Sequence, residues 1–409
     1  MDKHLVLLAT LGFTTLLMSW LPYVSAKIKI SYPIILLVIG FVIYLLWVPL
    51  NGEAILWPNT WIMYISELIV IISLMWAGLK IWRNYSFDDW KLIIKLIVIS
   101  MPIFLGWVFL FWYYFLWLSL PVAIILAAVL APTDPVLASE VQIQKLTSKS
   151  AITSRFALTW EAWINDGLAF PFTILALSVL TAGWFSWEVG LTWLLDTFLL
   201  KIFIGAILWY TLWKLFGFLI YKIPRYEWIG NPSAFIILSI TFFVYASVEL
   251  LHWYWFLAVF ICAVVMRHSE ELKGKIKHEM HNFIEDIEKF LLVIWVIIFW
   301  ATIFHGIFEY ITLMDIVFAL FIIFILRPLS SFISLIWAEE KLYEKYIISF
   351  YGIRWIWSIF YLSWAFVENP DFPFQERLFA IVSLVILISI IVHWLTAPYF
   401  IWKMEKQKV

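Results

Sequence analysis

Asp134 stands between two prolines in Ala131-Pro132-Thr133-Asp134-Pro135, and Glu161, Asn165 and Asp166 follow in Glu161-Ala162-Trp163-Ile164-Asn165-Asp166-Gly167. Both clusters lie in stretches otherwise apolar enough to span a bilayer. A carboxylate at the centre of a spanning helix costs about 3 kcal/mol on insertion scales, so several in one short window imply a polar pathway rather than an apolar core. Each proline removes a backbone donor and clashes with the carbonyl four residues earlier, which predicts local unwinding around Thr133. In a membrane, freed carbonyls and half-helix ends are tolerated where they line a cavity, and secondary transporters hold small cations that way. Glu161 and Asn165 are four apart and share a helix face, with Asp166 turned about a quarter of a circle onward, able to point at the unwound segment. Dehydration favours the neutral form of a carboxylic acid, so such a group accepts either a proton or a cation. The blander alternatives are a simple proline kink and a polar patch joining helices.

The elements that must hold these groups follow from composition. With 65% hydrophobic and 13% charged residues, and a mean hydropathy of +0.97, the chain reads as an all-α polytopic membrane protein. Taking about 20 apolar residues per span, we place thirteen helices at 5–22, 32–50, 60–82, 91–116, 118–141, 153–181, 188–221, 233–250, 253–267, 284–306, 310–337, 344–367 and 376–402. The divisions between 250 and 253 and between 337 and 344 are the least marked. The apolar start after Lys3 reads as a retained first helix, since its positive flank is weak and no small-residue cleavage site follows. With the N-terminus outside, the inner loops and tail gather twenty Lys and Arg residues between Lys27 and Lys408, against Lys3 and Arg377 outside. That alternation predicts an N-out, C-in orientation.

The polar stretch from Arg267 to Lys289 reads as a helical cytoplasmic connection. Within it, His278-Glu279-Met280-His281 lacks the four-residue histidine spacing of a zinc-binding helix, so both histidines read as solvated polar groups. A single cysteine, Cys262, excludes an internal disulfide or a thiol metal cluster. No phosphate loop, dinucleotide glycine pattern or serine nucleophile setting is present, so we expect no enzyme, no cofactor and no nucleic-acid partner. Ion gradients then have to supply the energy. Arg354, in Gly352-Ile353-Arg354, needs an intramembrane carboxylate, for which Glu161 is the candidate. Arg327, before Pro328, reads as a possible second intramembrane cation or as a helix end. Glu67 and Glu249 read as polar helix contacts, and Asp196, Lys201 and Lys214 as partial pairs or snorkelling groups.

Together these residues resemble the monovalent cation/proton antiporter family that contains the sodium/proton exchangers. The likeness is carried by Leu130 through Ala138, Glu161 through Pro171 with the Asn165-Asp166 pair, Phe256 through Phe260, Arg327-Pro328 and Gly352-Ile353-Arg354. The resemblance implies two inverted six-helix repeats with crossed broken helices, at 1–182 and 232–409, joined by a linker helix within 183–231. It implies exchange of Na⁺, or K⁺ or Li⁺, for H⁺ at the cell membrane by alternating access, in a homodimer that serves pH homeostasis. By the same resemblance Asp166 binds cation or proton, Thr133, Asp134 and Asn165 complete the site, and Glu161 pairs with Arg354. The Asn-Asp pair is the form shown by electroneutral members. Trp160, Trp163, Trp253, Trp255, Trp355 and Trp357 stand where the family leads us to expect glycine, in a chain with 28 Trp and 14 Gly. A gene whose UGA codons mean glycine, translated with UGA as tryptophan, explains this. If the indoles are real, a transport-inactive scaffold or a channel is the alternative.

Overall fold

The computed structural model describes residues 60–80, 87–133, 149–201, 234–251, 254–268, 274–304 and 306–406, with scattered positions between 5 and 42. Without water to satisfy them, backbone amides and carbonyls must pair within a segment, and the apolar stretches accordingly form helices. These are α1 (Thr60–Lys80), α2 (87–115), α3 (Leu120–Leu130), α4 (Lys149–Ala182), α5 (187–200), α6 (Ile236–Glu249), α7 (Trp255–His268), α8 (Gly274–Phe304), α9 (Leu313–Ser334), α10 (Leu342–Phe350), α11 (Ile356–Glu368) and α12 (Gln375–Lys406). No strand occurs among the described residues. Within the same residues, α1, α2, α4, α9 and α12 each contain a stretch long and apolar enough to cross a membrane.

Both divisions at 250–253 and 337–344 are present, since α6 and α7 are separate helices, as are α9 and α10. Two expected spans are interrupted. The span at 118–141 opens with Pro121 in the first turn of α3 and leaves helical geometry after Leu130, at Ala131-Pro132-Thr133. The span at 344–367 is cut by an extended segment, residues 351–355, between α10 and α11. The spans at 5–22 and 32–50, and most of 188–221, fall outside the described residues apart from scattered positions. The polar connection is helical from Gly274 onward, as expected, and α8 carries it into the following span without a break. His281 lies on this helix, with its ring stacked 6.5 Å from that of Trp76.

Several helices contain wide π-helical turns, at Leu96–Ser100 and Phe111–Phe115 in α2 and at Ile322–Leu326 in α9. The first and third run directly into Pro102 and Pro328, whose missing N–H groups leave a carbonyl one turn back without its usual donor. Widening the preceding turn accommodates that loss. At the start of α9, Thr312 and Asp315 form a reciprocal capping box that satisfies two otherwise orphaned amides.

The chain divides into two compact units. The first comprises residues 1–66, 85–184 and 293–409, and holds both interrupted spans. In it α3 packs along α4, and α11 lies against α3, α4 and α12. Residues from Ile356 to Ser363 on α11 are buried on every side, as befits the centre of a helical membrane protein. The second unit comprises residues 67–84 and 185–292. There α6 packs on α7, and Gly78 of α1 lies so close to Ala263 and the Phe260 carbonyl of α7 that a side chain at 78 would collide with both.

Candidate functional site

Asn165 joins the two acidic regions. Its side-chain oxygen accepts from the Thr133 backbone N–H at 3.2 Å, and its Nδ2 donates to Thr133 Oγ1 at 2.9 Å. One carboxamide thereby holds the amide and the hydroxyl of the residue at which α3 has lost its helical pairing. The same Nδ2 lies 3.5 Å from Glu161 Oε1, one turn back on α4. Asp166, the next residue, is completely buried, and its main-chain carbonyl accepts from the Tyr361 hydroxyl of α11 at 2.7 Å. Asp134 lies outside the described residues.

The buried ion pair differs from the expected one. Glu161 is held by Arg327, whose two terminal nitrogens donate to its two carboxylate oxygens at 2.7 and 2.8 Å. Both side chains are almost wholly withdrawn from solvent, at 5% and 3% exposure. Fork-on-fork geometry of this kind is the favourable way to bury an arginine beside a carboxylate. Arg327 is thus a buried, paired cation within α9 rather than a helix end. Gly352 makes this seat possible, because a Cβ there would collide with Arg327 Nε.

Arg354, expected to pair with Glu161, instead reaches the broken end of α3. Its Nη1 donates to the main-chain carbonyls of Ala131 and Pro132. The guanidinium also lies over the Phe104 ring, 4.6 Å from the centroid, a cation–π contact from α2. Glu161 and Asp166 both act on it electrostatically. The correction has a simple physical reason. A proline-broken helix end exposes carbonyl oxygens that need donors, and with Arg327 already saturating Glu161 the second guanidinium serves those oxygens. Each of the two interrupted spans therefore supports the other. Segment 351–355 supplies the arginine, and segment 131–133 supplies the acceptors.

The indoles are fitted in by aromatic contacts. Trp160 lies 4.6 Å from Trp90, Trp355 meets Phe299 at 5.8 Å, and Trp357 meets Tyr361 at 5.4 Å. Trp163 and Trp255 are buried, and Trp253 lies outside the described residues. Trp355 buries its ring N–H without a hydrogen-bond acceptor. Trp117, between α2 and α3, adopts φ +53°, a conformation that favours glycine.

This arrangement can be set beside known proteins. A family model described as the sodium/hydrogen exchanger, transmembrane, matches residues 12–403. The chain belongs to that family. Among exchanger relatives, Na(+)/H(+) antiporter 2 of Zygosaccharomyces rouxii is 29% identical over 159 residues, covering 37% of this chain and 19% of the relative. The Na(+)/H(+) antiporter of Saccharomyces cerevisiae is 25% identical over 140 residues, covering 33% and 14%. The matched stretches therefore cover less than a fifth of those relatives' own length. Two structures of the sodium proton antiporter MjNhaP1 from Methanocaldococcus jannaschii share the fold. One has a TM-score of 0.73 at 19% identity, covering 98% of this chain and 99% of that one. The other, from electron microscopy, has a TM-score of 0.77 at 18% identity and covers both chains completely. As an exchanger-family member, the chain is a polytopic membrane protein.

Sequence reasoning missed two further parts of this candidate site. Tyr361 carries no signal in sequence, being one of several polar groups in an apolar helix, and the carbonyls of Ala131 and Pro132 are main-chain atoms. The Arg327–Glu161 pairing had a signal in the Arg-Pro dipeptide, which placed a cation inside a span without naming its partner.

Proposed function

We propose that this protein exchanges a monovalent cation, Na⁺ or alternatively K⁺ or Li⁺, for H⁺ across the cell membrane by alternating access. The observation that carries the reading is a completely buried Asp166 next to Asn165, which holds the broken end of α3 at Thr133. Glu161 and Arg327 neutralise each other, which leaves Asp166 and Arg354 as the opposed charges of the crossing. The guanidinium is tied to two carbonyls, and we assign the change of occupant to the carboxylate. A proton or an alkali ion can neutralise it, and competition between the two suffices to couple their movements. Asp166, Asp134, Thr133 and Asn165 form the proposed binding set. The carbonyls of Ala131 and Pro132 serve Arg354 in this arrangement, so cation ligands come from side chains and from main chain beyond them. The proposal extends to electroneutral stoichiometry, a homodimer, an N-out and C-in orientation, and two inverted repeats at 1–182 and 232–409 around a linker within 183–231.

In proteoliposomes containing a pH-sensitive dye, a pulse of external Na⁺ should drive proton efflux that saturates with Na⁺ and disappears in Asp166→Asn. Undiminished exchange in that variant refutes the assignment. Clamping the membrane potential should leave the rate unchanged, and a potential-dependent rate would overturn electroneutrality. The indoles at the second break favour one other reading, a transport-inactive scaffold or a channel, because Trp355 and Trp357 fill space beside the crossing. Absence of coupled flux supports the scaffold, and non-saturating flux without proton movement supports the channel.

A further inference from the structure

A cavity of about 660 Å³ lies between α9 and α10, a size that suits a bound molecule. Phe324, Ile325 and Leu329 line it from α9, and Tyr346 and Ser349 from α10. Of these, the three α9 residues and Tyr346 are 49–58% exposed. Because α9 is long and apolar enough to cross a membrane, its exposed apolar side chains meet lipid rather than water. The Phe332 and Tyr346 rings stack at 5.1 Å across the two helices and fix their register. Counting from that pair towards the membrane interior, Ser349 lies about 5 Å and Ile325 about 10 Å deeper along their helices.

Two polar features distinguish this groove from an ordinary lipid-facing surface. The Ser349 hydroxyl is buried and has no hydrogen-bond partner among the described residues. Neighbouring serines turn back onto their own helix instead. Ser330 donates to the Arg327 carbonyl at 3.0 Å and Ser334 to the Ser331 carbonyl at 2.6 Å. An unpaired hydroxyl away from water is costly, so Ser349 calls for an acceptor brought by the occupant of the groove. At the mouth, the Lys95 ammonium of α2 donates to the Trp337 carbonyl at 2.8 Å, and the Lys345 ammonium of α10 to the Ile336 carbonyl at 3.2 Å. Two cations thus converge on consecutive carbonyls just past α9. Each keeps N–H groups to spare, and neither has a carboxylate partner among the described residues. Cations at the mouth, a donor about one turn below and apolar walls below that follow the order of phosphate, ester and acyl chain in a glycerophospholipid.

We propose that this groove holds one anionic glycerophospholipid, with its phosphate on Lys95 and Lys345, an ester oxygen accepting from Ser349, and an acyl chain along Phe324 and Ile325. Pro328 and Phe350 also line the groove, which sets the lipid against the sequence neighbours of Arg327 and of the 351–355 break. Binding of this kind does not depend on the exchange activity proposed above. The full chain can be reconstituted in phosphatidylcholine vesicles that contain a small share of phosphatidylglycerol with a photoactivatable acyl chain. Crosslinks mapped by mass spectrometry should concentrate on 324–329 and 346–350, and unlabelled phosphatidylglycerol should displace them. Added phosphatidylcholine or glycerol phosphate should not. Labelling that reaches the exposed Val317 and Leu320 of α9 as strongly would mean general lipid contact only and overturns the proposal. Equal displacement by phosphatidylcholine overturns the anionic assignment, and displacement by glycerol phosphate overturns the choice of a lipid over a free phosphate. In native mass spectrometry of the purified chain, Lys95→Gln with Lys345→Gln should weaken phosphatidylglycerol binding about thirtyfold, the effect of two lysines of about 1 kcal/mol each. Ser349→Ala should weaken it about fivefold, as one hydrogen bond is lost, without lowering the melting temperature of the lipid-free protein. Unchanged affinity in these variants refutes the site.

Discussion

Removing either member of the Glu161–Arg327 pair should expose how the two interrupted spans are held. The two charges meet through paired contacts of 2.7 and 2.8 Å at 3–5% exposure. Deleting one partner from such a pair strands the other, at about 3–5 kcal/mol. Arg327→Met should therefore destabilise the protein by that amount, and Glu161→Gln by somewhat less, since a neutral amide still receives one donor. Together the two substitutions should recover about 2 kcal/mol or more of the summed loss, as no stranded charge remains. Glu161→Gln combined with Arg354→Met should be nearly additive, because Arg354 serves the Ala131 and Pro132 carbonyls instead. Equilibrium unfolding in mixed detergent micelles, followed by helical circular dichroism, reads all of these changes. Coupling below about 0.5 kcal/mol for Glu161 with Arg327, together with strong coupling for Glu161 with Arg354, would refute the pairing.

Other substitutions test neighbouring parts of the same construction. Asn165→Ala removes the bonds to the Thr133 amide and hydroxyl, and should cost about 1–3 kcal/mol and weaken Na⁺ binding, measured by isothermal titration. Gly352→Ala places a methyl group against Arg327 and should cost about 1–3 kcal/mol of overpacking, which a matched thermal melt will show. Trp355→Gly removes an indole whose N–H is buried without an acceptor and should preserve or raise exchange activity. An inactive, destabilised variant would mean that the indole belongs in the packing. The codons of the six tryptophans and of Trp117 settle the glycine reading directly, since UGA is expected and UGG excludes it.

Much of this was legible because bilayer physics leaves few options. Long apolar stretches had to be helices, and their limits emerged close to expectation where prolines, glycines or charges mark the ends. The break at Ala131–Thr133 was written in Pro132 and Pro135. The break at 351–355 was not, since Gly352 is its sole helix-weakening residue, and a fully apolar span reads the same whether or not it is interrupted. Spacing put Glu161, Asn165 and Asp166 within about a turn and a half of α4, but nothing in spacing tells one buried arginine from another. Arg327 and Arg354 both needed an anion or its equivalent, and the choice depended on unpaired carbonyls that no side-chain pattern records.

The central claim is that proton and alkali ion compete for Asp166, and proton release on cation binding tests it most directly. Na⁺ added to the purified protein in weak buffer should release a proton for each ion bound. Asp166→Asn should bind little Na⁺ and release none. Na⁺ binding without proton release in the wild type, or the same release from Asp166→Asn, would contradict the account.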